Sequence, residues 1–273
     1  MLRTSLLATV AFLCALAPSY ADGAGGKRLT GLGDVGYSYT GLDISSSSSD
    51  LDISQFHGTG SALWTWPGKW NFQGNFNFAS DRFSIGSSPD LAADYWKLGG
   101  ALFYRDQTQG YLGGEINYQS IDVLGFADGV SITGRGEAYL SDFNLGGYLG
   151  YTTYSSDGSS LDTSGWQLGA YGKYYSDKSL GFKLGLDYAN YEVDSTDYND
   201  LSINGEAEYM IPDCTTSLYA GLGFGTMDIG TSDADYWRFG LGLRVHFGTD
   251  GSSLMDRNRN EPISQLAGTR FIF

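Results

Sequence analysis

YWRFGLGLRVHF, residues 236–247, sets the grammar for the rest of the chain. Trp237, Phe239, Leu241, Leu243, Val245 and Phe247 alternate with Tyr236, Arg238, Gly240, Gly242, Arg244 and His246. Successive side chains of a β-strand point to opposite faces, so a period of two reads as a strand. One face is wholly apolar, and the other carries two arginines, a histidine and two glycines. A soluble sheet buries such an apolar face beneath a second layer. A membrane barrel turns it to lipid and its polar face to a wet interior.

Working back from that stretch, twelve alternating segments succeed one another: 32–41, 53–66, 70–80, 94–105, 110–120, 130–141, 144–155, 164–175, 179–191, 200–210, 216–227 and 235–247. Trp70, Phe72, Phe76 and Phe78 alternate with Asn71, Gln73, Asn75 and Asn77, and Leu180, Phe182, Leu184, Leu186 and Tyr188 repeat the pattern. The connections add an independent signal. Those after even-numbered segments are short: 67–69, 106–109, 142–143, 176–178 and 211–215. Those after odd-numbered segments are longer and rich in Ser and Asp, as in GLDISSSSSD and SDRFSIGSSPDLAAD. Tight turns on one side and long loops on the other are the mark of an outer-membrane barrel. Aromatic residues fall in two girdles. Trp66, Trp70, Tyr104, Tyr174, Tyr209 and Phe247 lie at the short-turn ends, and Trp96, Trp166 and Trp237 at the loop ends. Their spacing suits tilted strands crossing an apolar band of ~25 Å.

The N-terminal 21 residues combine Arg3, an apolar run from Leu6 to Ala17, and small residues at Ser19 and Ala21. This reads as a secretory signal peptide over 1–21, followed by a lead-in at 22–29. Cys14 leaves with the signal, so Cys214 has no partner and no disulfide framework exists. After Ala21 no apolar run reaches the roughly eighteen residues of a membrane helix. The chain carries 40 Gly, 20 Tyr, 15 Phe and 6 Trp but only 5 Pro, a composition that suits a membrane barrel. Its formal net charge of -15 argues against a nucleic-acid partner, whose phosphates require a basic face.

Signal, alternation and a closing strand ending in Val245, His246 and Phe247 together resemble a Gram-negative outer-membrane β-barrel of the porin-like kind, over about residues 30–247. The resemblance implies an all-β, antiparallel up-and-down transmembrane barrel of about 12 strands in the bacterial outer membrane. It also implies a lipid surround and recognition of the last strand by the barrel-assembly machinery. Phe247 and Phe273 compete for that terminal signal, and strand parity favours Phe247. Residues 248–273 are then expected to form a largely irregular periplasmic tail.

Twelve strands spaced ~4.8 Å apart and tilted about 40° give a backbone radius of roughly 12 Å. Alternation assigns Lys97, Arg105, Arg135, Lys173, Lys183, Arg238 and Arg244 to the lumen, with Asp34, Glu115, Glu137, Asp187, Glu206 and Glu208. Opposed charges serve either a selective pore or a set of ion pairs that partly plugs the barrel. Twelve-stranded outer-membrane phospholipases use a Ser-His-Asn arrangement on the barrel exterior, whereas His57 and Ser61 of FHGTGS share the lumen face. Neither metal-ligand spacing nor a phosphate loop followed by a helix is present, so no cofactor is expected. The leading expectation is a channel for small hydrophilic solutes. A closed structural or surface-interaction barrel is the alternative, and a lipid-modifying enzyme has least support. Oligomeric state is not readable from the sequence.

Overall fold

Alternation of apolar and polar side chains favours strands, but lipid allows them only if every backbone group pairs. The computed structural model describes residues 28–45, 51–85, 91–122, 126–156, 163–193, 196–248 and 253–263. Its strands are β1 (Arg28–Ile44), β2 (Leu51–Thr65), β3 (Trp70–Ile85), β4 (Leu91–Asp106), β5 (Gly110–Asp122) and β6 (Phe126–Leu140). They continue as β7 (Phe143–Ser156), β8 (Thr163–Tyr175), β9 (Leu180–Val193), β10 (Thr196–Met210), β11 (Thr216–Ile229) and β12 (Ser232–Phe247). Each pairs antiparallel with its neighbours in sequence, and β1 pairs with β12 to close a twelve-stranded barrel. At that seam Val35, Tyr37 and Tyr39 stand opposite Leu243, Leu241 and Phe239, so the apolar outer face runs across it unbroken.

The barrel is inside-out relative to a soluble protein. Leu112 is 72% and Leu184 59% exposed on its outside, whereas Gln73 and Arg244 are each 1% exposed on its inside. Aromatic rings pair on the outer face. Trp70 and Tyr104 meet edge-on at 5.9 Å near the short turns. Trp96 meets Tyr118 at 5.4 Å, Tyr151 meets Trp166 at 4.7 Å, and Tyr39 meets Trp237 at 5.4 Å near the other rim. Trp66, Tyr174 and Tyr209 are exposed, while Phe247 is half-buried. A Cβ on Gly31 would lie 3.4 Å from the Phe247 ring, so that ring covers the seam.

Several boundaries differ from the sequence reading. β1 begins at Arg28, inside the expected lead-in, and β7 takes Phe143, leaving a two-residue turn at 141–142 with Ser141 at φ 36°. Strands also run into the stretches read as long loops. Leu42 pairs with Tyr236, Phe83 with Leu91, and Thr196 with Val193. Ser and Asp are poor strand formers, which hides these extensions. Yet Leu42, Met227 and Tyr236 still alternate inward there, packing with Leu51, Ile53, Tyr198 and Ile229. Only residues 230–231 separate β11 from β12, with Gly230 at φ 59°.

The tail is the largest departure. Residues 253–263 are not irregular: they include the helix α1 (Leu254–Asn260), capped by Ser253, whose hydroxyl accepts the Asp256 amide at 3.1 Å. Ser followed three residues later by an acid is a capping pattern that alternation-based reading passes over. Residues 1–27 and 264–273, with Phe271 and Phe273, lie outside the described residues.

Arg at the mid-strand outer positions Leu184 or Leu241 is expected to cost about 2–4 kcal/mol of folding free energy in lipid vesicles, against about 0–1 for Leu140→Arg at the rim. Denaturant titration followed by tryptophan fluorescence measures both, and equal costs at middle and rim would contradict the lipid-facing assignment.

Candidate functional site in the barrel lumen

Inward-pointing charges gather into groups. On β1, β10 and β12, Arg244 Nη1 donates to Glu208 Oε2 at 2.5 Å and lies 3.6 Å from Glu206, while its Nε is 3.4 Å from Asp34. On β6 and β8, Lys173 Nζ is 3.0 Å from Glu137, which also accepts from Tyr171 at 2.7 Å and from Asn144 on β7 at 2.8 Å. Arg135 of β6 donates to Glu115 of β5 at 2.7 Å. Asp187 of β9 accepts from Tyr148 and Asn204, at 2.7 and 2.8 Å.

The remaining expected lumen residues make further contacts. Lys97 stands between Asn77 and Gln119 in the ladder. Arg238 Nε donates to Thr40 across the seam at 3.2 Å. Lys183 holds its ammonium 4.9 Å above the Tyr171 ring, and Arg105 stacks on Phe103 and Tyr111. His57 Nε2 is 3.0 Å from the Tyr219 hydroxyl, and Ser61 donates to Asn75.

Sequence reasoning missed the tyrosines. Tyr171 and Tyr219 project into the barrel against glycines on neighbouring strands. A Cβ on Gly146 would come within 2.3 Å of Tyr171, and one on Gly242 within 2.4 Å of Tyr219. Inward glycines therefore clear room for large rings, which in turn orient carboxylates. Inward parity was legible for each of these residues, but their pairing depends on register between strands. Between the charge groups lies a cavity of ≈ 200 Å³, bordered by Asp34, His57, Arg135, Tyr171, Lys183 and Asp187 among others.

Segment 253–263 crosses the short-turn mouth. Leu254 packs on Tyr175 and Met210, and its amide donates to Lys178 O at 2.7 Å. Arg259 donates to Ser141 O at 2.7 Å and to Asn144 Oδ1 at 2.6 Å, with its guanidinium over the Tyr139 ring. Glu261 pairs with His246, and its carbonyl accepts from Arg105 at 2.8 Å. Ile263 exchanges two hydrogen bonds with Gln73 and joins Leu63, Phe103, Tyr111 and Tyr139. Toward the other mouth, Ala79, Tyr95 and Ile121 pack together with Tyr154.

Comparison with known proteins agrees with this geometry. The family model of the outer membrane protein beta-barrel domain matches residues 135–254. An outer-membrane channel from Pseudomonas putida F1 is similar in structure, with a TM-score of 0.61 at 15% identity, covering 85% of this chain and 100% of that one. The β domain of the Bordetella autotransporter BrkA gives 0.54 at 13% identity, covering 79% and 99% of the two chains. For the translocator domain of the autotransporter NalP from Neisseria meningitidis the values are 0.52 and 14%, with coverage of 88% and 97%. At such identities the likeness is one of fold. No curated protein matches the sequence.

Replacing Arg244 by Leu would leave Asp34, Glu206 and Glu208 facing one another in a buried site. Breaking a buried ion pair on one side costs about 3–5 kcal/mol. The Arg244→Leu barrel should lose stability on that scale in urea titration, and adding Glu208→Gln should restore part of it. A loss no larger than that of an exposed pair would contradict the burial of the cluster.

Proposed function

We propose that the chain is an outer-membrane β-barrel protein that serves as a channel for small hydrophilic solutes. The observation that carries the reading is the polar lumen, with both signs of charge arranged around a central cavity inside an apolar exterior. Fixed charges of both signs let a narrow conduit sort solutes by charge. In this reading residues 1–21 direct export and are removed after Ala21. The barrel-assembly machinery reads the strand that closes on Phe247, lipid surrounds the leucine and aromatic belt, and the short turns face the periplasm. We read the role as non-enzymatic, because His57 and Ser61 engage Tyr219 and Asn75 inside the barrel.

A second reading, a closed barrel acting through its outer surface, is favoured by a different observation. Inner side chains such as Gln73, Asn117 and Arg244 are nearly inaccessible, and a segment spans one mouth.

Refolded protein in planar bilayers is expected to give discrete conductance steps; silence from correctly folded barrels would support the second reading. Orientation has its own test through Cys214, exposed in the turn at 211–215. A bulky maleimide polymer should label it only after the outer membrane is breached, and labelling of intact cells would invert the assignment.

A further inference from the structure

We propose that residues 253–263 form a plug, carried by the chain itself, that seals the short-turn mouth of the lumen and leaves it when solute passes. This rests on the channel reading above and adds the element that controls it.

The segment has no place in the wall. β12 is paired on both sides, with β1 and β11, so the chain beyond Phe247 finds no free ladder. Gly248 adopts φ 72°, and a Cβ there would fall 2.6 Å from Leu29 O, so the chain leaves the wall in a conformation and a space that suit glycine. Residues 253–263 then reach around the mouth. They contact β3 through Gln73, β4 through Arg105, the 141–142 turn through Ser141, the 176–179 turn through Lys178, and β12 through His246. Anchors spread over this much of the circumference put the segment across the opening.

The way it is held suits release. Most anchors are hydrogen bonds or ion pairs to groups that water can satisfy equally well once the segment departs. Its apolar contacts are few, chiefly Leu254 and Met255 at one end and Ile263 at the other. The plug is also joined to the cavity wall. Glu261 pairs with His246, whose Nε2 lies 3.1 Å from Ser217 and 3.7 Å from Glu208, the carboxylate that holds Arg244.

The test uses the full-length protein with Cys214→Ser, Gly181→Cys and Leu254→Cys. A Cβ on Gly181 would lie 3.1 Å from Leu254 Cδ2, so the two positions are side-chain neighbours when the segment is seated. In planar bilayers the oxidised, cross-linked chain should be silent and should conduct after reduction. A chain lacking 249–273 should show a several-fold higher open probability than the full chain. Conductance that ignores cross-linking, or a cysteine pair that does not cross-link in the folded barrel, would overturn the plug and leave the channel reading standing. If the shortened barrel folds, judged by heat-modifiable migration, and is silent like the full chain, the channel reading fails and the plug falls with it. Should the shortened chain not fold, the reversible cross-link decides alone.

Discussion

Hydrocarbon offers no partner to a bare peptide group, and the rest of this structure follows from that constraint. It forces the first strand to meet the last, which Gly36 and Gly242 do at the centre of the seam. An even number of antiparallel strands then brings both ends of the wall to the same mouth. Whatever the chain carries after Phe247 must emerge at the short-turn rim, where neither edge nor lipid can accept it. Entry into the lumen is the remaining way to bury Leu254 and Ile263.

The interior answers a second difficulty, that of charge taken out of water. Burying ions without partners is costly, and here Glu208, Glu137 and Glu115 each have a cation within 3.0 Å. Tyrosine hydroxyls add further donors to Glu137, Asp187 and Asp34. The abundance of glycine and tyrosine in the composition thus has a steric cause. Rings that lie over the adjacent strand need bare backbone beneath them.

Alternation made the wall legible because a membrane barrel writes its two faces directly into the sequence. Arg135, Lys173 and Glu208 could be assigned inward by parity alone, and the girdle residues Trp70 and Trp166 outward. Partners could not be assigned so easily. That Lys173 meets Glu137 depends on the stagger of β6 through β8, which no local pattern fixes. The strand ends were misjudged because Ser and Asp can sit in a ladder whose hydrogen bonds are made by backbone. The helix at 254–260 escaped notice for another reason: its capping serine is a local signal, but its burial depends on a barrel already in place.

Phe247 lying over Gly31 at the seam has a consequence for the order of events during folding. Adjacent strands meet through short connections, so their hairpins close early and at small entropic cost. β1 and β12 are separated by nearly the whole chain, and contacts so distant in sequence form late. The Phe247 ring, within contact distance of Gly31 and Gly33, can settle onto the joint from the lipid side once the strands have met. Because α1 is bound by groups from strands and turns all around the mouth, its seat is complete only after that closure. The segment that follows the wall in sequence thus finds its place only after the wall has closed.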